Sequence, residues 1–253
     1  MEDRDEIKLK SVGKAFSVLE CFIDKPALGV TEISEKLGLY KSNVHSILTT
    51  LKTLGYLEQD HDTGRYRIGI KIFELSRTIG DRYSIKNIAM PYLQELSNLT
   101  KESVYLGVAY EDSVLYLDAY HPGEDINMMR SILGERALMY CTGIGKAMMA
   151  YLPKDLVETY LSKELISYTE QTICDKEVLL RQLEDIRRNG YAIDNMEHEY
   201  GIKCVAVPLF GKKGTLEGAF SVSGPSLRFD EERILELSAL MKKYAKRIQD
   251  YLA

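Results

Sequence analysis

Apolar residues in the first quarter of the chain recur at helical spacing and outline three short helices. The first stripe lies between residues 11 and 23 and consists of Val12, Ala15, Phe16, Leu19 and Phe22. Two further stripes lie within residues 31–54, on either side of Gly38, which can adopt the left-handed conformation that ends a helix. Two helices joined by a tight, glycine-containing turn are typical of a helix-turn-helix.

The third of these helices is expected to expose a face of short polar side chains with almost no acid. Ser42 is expected to cap its N-terminus by accepting a hydrogen bond from a free backbone N–H. The exposed positions are Lys41, Ser42, Asn43, His45, Ser46 and Thr49. In a helix-turn-helix this face enters the DNA major groove, so these residues are candidate DNA contacts. The same pattern also fits an ordinary amphipathic helix with a solvated face.

Two strand-like runs, at residues 56–60 and 65–69, follow the third helix. Asp62-Thr63-Gly64 lies between them and suits a hairpin turn. Arg65 and Arg67 lie on the returning strand, where they can contact DNA phosphate. Residues 1–69 are therefore predicted to form a winged helix-turn-helix.

The rest of the chain begins with a predicted linker helix at residues 70–84 and then mixes helical and strand-like patterns. Strands are predicted at 104–108, 114–120, 126–132, 191–194, 205–210 and 216–222. Helices are predicted at 85–100, 143–151, 153–161, 175–189 and 230–252, and Pro91 is expected to kink or restart the first of them. Residues 85–253 are thus expected to place helices outside a mostly antiparallel sheet, which makes the whole chain an α+β protein.

The composition fits a globular protein of two domains, because the 253 residues are 45% hydrophobic and 28% charged. No apolar run reaches the roughly 18 residues that a membrane span needs, and the N-terminus is unlike a signal peptide. The four cysteines have no CxxC spacing and are expected to be reduced thiols. The protein is therefore expected to be cytoplasmic and to have no membrane partner.

The net charge of −5 argues against a protein that binds nucleic acid in bulk. It is compatible with a specific regulator whose phosphate contacts come from a local basic patch, here Lys41, Lys52, Arg65 and Arg67. Each subunit is then expected to bind DNA only modestly, which favours a dimer.

Two polar clusters in the second half of the chain are candidate ligand sites. Thr142-Gly143-Ile144-Gly145-Lys146 opens a predicted helix, where backbone N–H groups can bind an anion. Because no GxxxxGK[ST] or GxGxxG motif is present, a small carboxylate fits better than a nucleotide phosphate, and the alternative is that both glycines only permit close packing. Ser221 and Ser223 share one side of a strand, where they can hold a ligand or face water.

Catalytic and metal chemistry have little support in the sequence. Cys204 begins an apolar strand and resembles a small buried hydrophobic residue, and Asp194 can simply end a strand. There is no GxSxG elbow and no HExxH motif. A metal site made of Asp194, His198 and Cys204 is the weakest of the alternatives. The sequence therefore predicts neither a catalytic residue nor a cofactor.

Six segments, in this order, resemble the IclR-type bacterial transcriptional regulators across nearly the whole chain. They read SVGKAFSVLECF, TEISEKLGLYKSNVHSILTTLKTLGYLEQD, RYRIGIKIFELS, MYCTGIGKAMMAYLP, GYAIDNMEHEYGIKCVAVPLF and FSVSGPSLRF. The resemblance implies a winged helix-turn-helix joined by a linker helix to a GAF-like effector-binding domain. It further implies a homodimer or tetramer that binds palindromic double-stranded DNA operators near catabolic genes, commonly as a repressor and not as an enzyme.

In this family small organic acids bind a pocket in the second domain. Matched position by position, the resemblance implies that this pocket is formed by Met129, Gly143, Ile144, Asp194, Ile202, Cys204, Ser221 and Ser223. The chain departs from the family at Ser46, where an arginine is frequent, so the resemblance implies DNA binding but does not determine the operator sequence. The run Asn127-Met128-Met129-Arg130 is similar to regulators of 2-keto-3-deoxy-sugar-acid catabolism.

Two other functions are compatible with the residues. One is an enzyme that acts on a small acid through Cys204 or Ser221 and carries an accessory DNA-binding domain. The other is a protein-interaction module whose second domain has no pocket. Turnover of a small acid would favour the first, and failure to bind any small acid would favour the second.

Overall fold

The fold is taken from a computed structural model that describes residues 7–77, 84–123 and 134–252. The chain divides into two compact units, Met1–Arg82 and Tyr83–Ala253. The strand expected at 126–132, and Met129 within it, lie outside the described residues.

The first unit is helical apart from one hairpin. Its elements are α1 (Lys10–Glu20), α2 (Val30–Leu37), α3 (Lys41–Thr53), β1 (Leu57–Gln59), β2 (Tyr66–Ile68) and α4 (Lys71–Arg77). Their buried apolar side chains form one core that includes Val18, Ile33, Val44, Leu48 and Leu57. The predicted helix-turn-helix is confirmed, and Gly38 ends α2 with a φ of 64°.

One detail of the prediction for α3 is wrong. The helix begins at Lys41, with Tyr40 at the N-cap position and no side-chain capping bond. Ser42 therefore lies inside the first turn, where its carbonyl accepts a 3.0 Å hydrogen bond from the hydroxyl of Ser46. The backbone of Tyr40 is extended, with a ψ of 138°, and the helix starts after it, two residues earlier than a Ser42 cap would place it.

The hairpin after α3 forms the predicted wing. β1 and β2 are antiparallel, with Glu58 directly opposite Arg67. The carboxylate of Asp60 accepts the backbone N–H of Thr63 at 2.7 Å and so closes the turn, and Gly64 adopts a φ of 68°.

Within its described residues, the second unit is built on a six-stranded antiparallel sheet of order β5-β4-β3-β8-β7-β6. The strands are β3 (Ser103–Tyr110), β4 (Ser113–Tyr120), β5 (Arg136–Leu138), β6 (Ala192–Asn195), β7 (Ile202–Phe210) and β8 (Leu216–Pro225). The helices are α5 (Ser84–Thr100), α6 (Gly143–Met149), α7 (Lys154–Ser162), α8 (Lys176–Asn189) and α9 (Glu231–Gln249). Helix α5 contains Pro91 without ending there, so the expected restart does not occur.

The two faces of this sheet bury different side chains, because successive residues of a strand point to opposite faces. Val104, Val205 and Val222 belong to the core that includes residues of α5 and α9. Ala206 and Ala219 belong to the core that includes residues of α6 and α8. The small residues on the α6 face leave room beside the sheet, and the candidate ligand site lies there.

Candidate functional site

The polar face predicted on α3 is exposed in the structure. Side chains of Val44, Leu48 and Leu51 are buried on one side of the helix. On the other side the six candidate DNA contacts are all solvent-exposed, namely Lys41, Ser42, Asn43, His45, Ser46 and Thr49. Because none of them is needed for the core, the helix can place this face against another molecule.

The two wing arginines differ in their partners. Arg67 pairs with Glu58 of the neighbouring strand, with Nε and Oε2 3.1 Å apart. Arg65 is only partly exposed, and its Nη2 donates to Oε2 of Glu32 at 2.7 Å and to the carbonyl of Ala27 at 3.0 Å. Arg67 is thus paired within the wing, whereas Arg65 is paired with residues that precede α3.

A cavity of about 570 Å³ lies between the sheet and the start of α6. Seven of the eight predicted effector residues line it: Gly143, Ile144, Asp194, Ile202, Cys204, Ser221 and Ser223. Met129, the eighth, is outside the described residues. The chain therefore brings together side chains that are separated by as many as 80 positions in the sequence.

A row of cross-strand neighbours forms the floor of the cavity. Asp194 on β6 lies opposite Cys204 on β7, and Cys204 lies opposite Ser223 on β8. The row continues beyond the cavity lining to Ser103 on β3, which lies opposite Ser223. The hydroxyl oxygens of Ser221 and Ser223 are 3.3 Å apart, so both face the cavity side of β8 as predicted.

The two glycines at the start of α6 allow the helix to approach the sheet closely. A Cβ on Gly143 would lie 2.6 Å from Sγ of Cys204, and a Cβ on Gly145 would overlap the backbone of Met139. The Thr142 hydroxyl caps the helix by accepting the N–H of Gly145 at 3.1 Å. The close-packing role of both glycines is therefore confirmed, and Gly143 and Ile144 line the cavity.

Asp194 is the acidic group of the floor, and its environment sets its charge. Burial raises the pKa of its carboxyl to about 6, although the N–H of Glu197 donates to its Oδ1 at 2.7 Å and favours the ionised form. Burial also raises the pKa of the Cys204 thiol far above its usual range. Cys204 is therefore a neutral thiol, which does not favour its use as a nucleophile.

A buried ion pair supports the wall of the cavity. Nζ of Lys146 on α6 lies 2.5 Å from Oε1 of Glu197, and the two side chains are 0% and 3% exposed. Oε2 of Glu197 is buried and has no hydrogen-bond partner among the described residues. The backbone N–H that Glu197 donates to Asp194 makes this pair a direct support of the cavity floor.

The sequence did not identify several of the residues that line the cavity. These are Tyr105, Tyr116, Glu135, Arg136, Ala137 and Glu199. Tyr105 carried a usable signal, because it alternates with the core residues Val104 and Leu106 and must face the other side of β3. Arg136 carried none, because it lies on the three-residue strand β5.

Metal binding and membrane insertion gain no support from the described residues. Asp194, His198 and Cys204 line the same cavity, yet within residues 7–77, 84–123 and 134–252 no three potential ligands are grouped to hold a metal ion. In those same ranges no helix is both long and apolar enough to cross a membrane.

Comparison with known proteins gives matches along both units. Residues 11–61 match the IclR helix-turn-helix domain, and residues 78–250 match the bacterial transcriptional regulator IclR C-terminal domain. The HTH-type transcriptional regulator KdgR of Escherichia coli is 36% identical, over 97% of this chain and 94% of its own. The HTH-type transcriptional regulator XynR of the same organism is 31% identical, over 89% of this chain and 90% of its own.

A solved structure agrees with these matches. The crystal structure of the Thermotoga maritima IclR is 34% identical and superposes with a TM-score of 0.76, covering 96% of this chain and 98% of that one. The exposed polar face of α3 and the cavity beside the sheet thus occur in a chain that matches regulators along almost its full length. The protein is a ligand-responsive DNA-binding transcriptional regulator and belongs to the IclR family.

Proposed function

We propose that the protein is a homodimeric or tetrameric repressor of a catabolic operon, released from double-stranded DNA by a small organic acid. The exposed face of α3 supports the DNA-binding half of this proposal. The cavity beside α6 supports the sensing half. The net charge of −5 means that DNA affinity has to come from a local basic surface and from more than one subunit.

In the proposed binding mode α3 enters the major groove. Asn43, His45, Ser46 and Thr49 face base edges, while Lys41, Ser42 and Arg67 contact phosphates. Two subunits read half-sites about 10–10.5 bp apart, one turn of the duplex. The exposure of every one of these side chains is the observation that carries this assignment.

Substitutions on the two surfaces test this binding mode with a duplex selected from a random pool by the wild-type protein. Arg67→Gln is expected to weaken binding to all sequences alike and to reduce the salt slope by about one unit. Asn43→Ala is expected to change base preference instead. If both variants bind the selected duplex as the wild type does, α3 and the wing do not contact DNA in this way.

Self-association is supported by an exposed apolar stripe at the N-terminus. Leu9, Val12 and Phe16 recur at helical spacing on or beside α1 and are 66%, 47% and 61% exposed. Helix α4 adds Phe73, which is also exposed. Such a stripe on a monomer is typical of a protein interface.

The proposed effector is a small acid that also carries hydroxyl groups. The volume of about 570 Å³ is within the range of small-molecule sites. Amides of Gly143 and Ile144 and the two serine hydroxyls can donate to a carboxylate. Asp194 is expected to accept from a hydroxyl, since an ionised Asp194 repels a carboxylate. The similarity of residues 127–130 to sugar-acid regulators points to the same ligand class.

Calorimetric titration of candidate acids tests the sensing half. D-gluconate as a sugar acid and pyruvate as a 2-oxo acid are compared on the wild type and on Asp194→Ala. A hydroxylated acid is expected to bind the wild type and to bind Asp194→Ala more weakly. The acid is also expected to lower the affinity of the protein for DNA, and DNA is expected to lower the affinity for the acid by the same factor. Equal affinity in both proteins would remove Asp194 from the site.

A further inference from the structure

Arg65 joins the wing to α2 and to the segment just before it. Its Nη2 reaches Oε2 of Glu32 at 2.7 Å and the carbonyl of Ala27 at 3.0 Å. Beside these contacts Leu28 and Tyr66 exchange two backbone hydrogen bonds, of 3.0 Å and 2.8 Å. Side chain and backbone therefore hold the same edge of the wing, where Leu28 and Tyr66 form an isolated antiparallel β-bridge.

Glu32, the partner of Arg65, belongs to a different element. It lies in the first turn of α2, and its Oε2 also accepts the backbone N–H of Gly29 at 2.9 Å. That hydrogen bond, together with Arg65, holds the pKa of the Glu32 carboxyl below its usual value, so the group is ionised at neutral pH. One carboxylate thus caps α2 and ties it to the wing.

The other edge of the wing is held to α3. Nζ of Lys52, in the last turn of α3, donates to Oε1 of Gln59 at 2.9 Å. Nε2 of Gln59 donates to the carbonyl of Gly64 in the hairpin turn at 3.1 Å. Polar contacts therefore link the wing to α2 on one side and to α3 on the other.

The ion pair of Arg67, in contrast, does not link the wing to a helix. Glu58, its partner, lies directly opposite it within the hairpin, so the Arg67 pair moves with the wing. Arg67 is also exposed, whereas Arg65 is partly buried against its two partners. Arg65 immediately precedes β2 and Arg67 lies within it, so the two arginines are only two residues apart and still have different surroundings.

We propose that Arg65 is a positioning residue for DNA recognition: through Glu32 it sets the wing relative to α2 and α3, so that Arg67 reaches a phosphate. The guanidinium of Arg65 pairs with groups of the protein and not with DNA. Its removal is expected to lower DNA affinity because the wing is displaced. This inference rests on the proposed binding mode, in which α3 lies in the major groove and Arg67 contacts DNA.

The variant Glu32→Gln distinguishes positioning from simple electrostatic attraction, because the two predict opposite changes in DNA affinity. Glutamine can still accept the Gly29 N–H in a capping box, so the variant removes the pair with Arg65, along with the longer pair with Lys25, and retains the cap. If electrostatic attraction to DNA alone mattered, loss of an acid near the duplex would tighten binding. Positioning requires the opposite, a weakening of about two- to fivefold, the range expected for a partly exposed ion pair.

The measurement is the dissociation constant for the selected duplex as a function of KCl concentration. Arg65→Gln and Arg65→Lys are expected to weaken binding as much as Glu32→Gln, with the salt slope unchanged. The double variant Glu32→Gln/Arg65→Gln is expected to be no weaker than either single one. Arg67→Gln is the matched control and should lower the slope by about one unit.

Two results would overturn the proposal. One is tighter binding by Glu32→Gln, and the other is a slope lowered by a full unit in Arg65→Gln but not in Arg65→Lys. A thermal midpoint close to that of the wild type establishes that each variant is folded. If Arg67→Gln leaves both affinity and slope unchanged, the proposed binding mode fails, which is a result distinct from those for Arg65.

Discussion

Lys146 and Glu197 pair 2.5 Å apart although both side chains are buried, and the backbone N–H of Glu197 also donates to Asp194. Removing two charges from water costs several kcal/mol per ion, which their mutual attraction repays only when both partners are present. The pair is therefore a poor source of stability and a strict constraint on the cavity wall.

Lys146→Met is expected to lower the free energy of unfolding by about 3–5 kcal/mol, because Glu197 is then left as a buried charge without a partner. Lys146→Met/Glu197→Leu is expected to recover most of that loss. Urea denaturation followed by circular dichroism measures both. Lys154→Met, which removes one partner of the exposed pair with Glu158, is the control and should leave stability unchanged. A double variant as unstable as Lys146→Met would contradict this account.

Asp194→Asn is expected to stabilise the protein above pH 5. The folded pKa of about 6 exceeds the ordinary value of 3.8, so the folded state binds the proton more tightly than the unfolded state. Stability contributed by the protonated form is present below pH 3.8 and is lost as the pH rises through 6. The full difference is about 3 kcal/mol, of which about 1 kcal/mol develops between pH 5 and pH 8.

Urea denaturation of the wild type and Asp194→Asn at pH 5 and pH 8 checks this prediction. Asparagine can still accept the Glu197 N–H, so the comparison isolates the charge. The advantage of the variant should grow towards pH 8. Parallel pH profiles of the two proteins would mean that Asp194 titrates normally in the folded state.

Gly143→Ala is expected to destabilise the second unit by about 1–3 kcal/mol, because the new Cβ would lie 2.6 Å from Sγ of Cys204 and 3.3 Å from Cβ of Ala206. Cys204→Ala in the same chain removes the sulfur and is expected to relieve most of the strain. Thermal unfolding of the single and double variants measures the coupling. Additive losses would show that α6 moves away from the sheet instead of clashing with Cys204.

Phe16→Glu is expected to raise the dissociation constant of the proposed dimer at least tenfold, because it places a charge in the exposed stripe on α1. Sedimentation equilibrium over a range of protein concentrations measures this shift. Ser11→Glu introduces the same charge at an exposed polar position of the helix and is the control. Unchanged self-association of Phe16→Glu would remove this stripe from the interface.

The sequence was sufficient for the local elements and insufficient for their arrangement. Helical spacing located α2 and α3 to within a residue or two at each end, because both have one buried stripe. It misplaced the cap at Ser42, since Tyr40 starts the helix through its backbone. Strand β5 has only three residues and too little pattern to be recognised. The sheet order depends on pairings between distant segments, which no local pattern contains.

Prediction of the cavity depended on combining weak signals. Gly143, Asp194, Cys204 and the two serines each had an ordinary structural explanation when taken singly. Family resemblance grouped them, and the structure places them around one cavity. Lys146 and Glu197 were missed because charged residues are almost never fully buried. Their pairing arises from a contact across 51 positions, which sequence spacing does not reveal.

The row Asp194, Cys204, Ser223 and Ser103 runs across four strands, and each member alternates along its own strand with a residue of the opposite face. Val104, Val205 and Val222, their neighbours on three of the strands, fill the core against α5 and α9. Side chains in the row can therefore be exchanged one at a time without repacking that core. Each substitution on this face of the sheet therefore changes the surface that a ligand in the cavity meets, while the core on the opposite face remains in place.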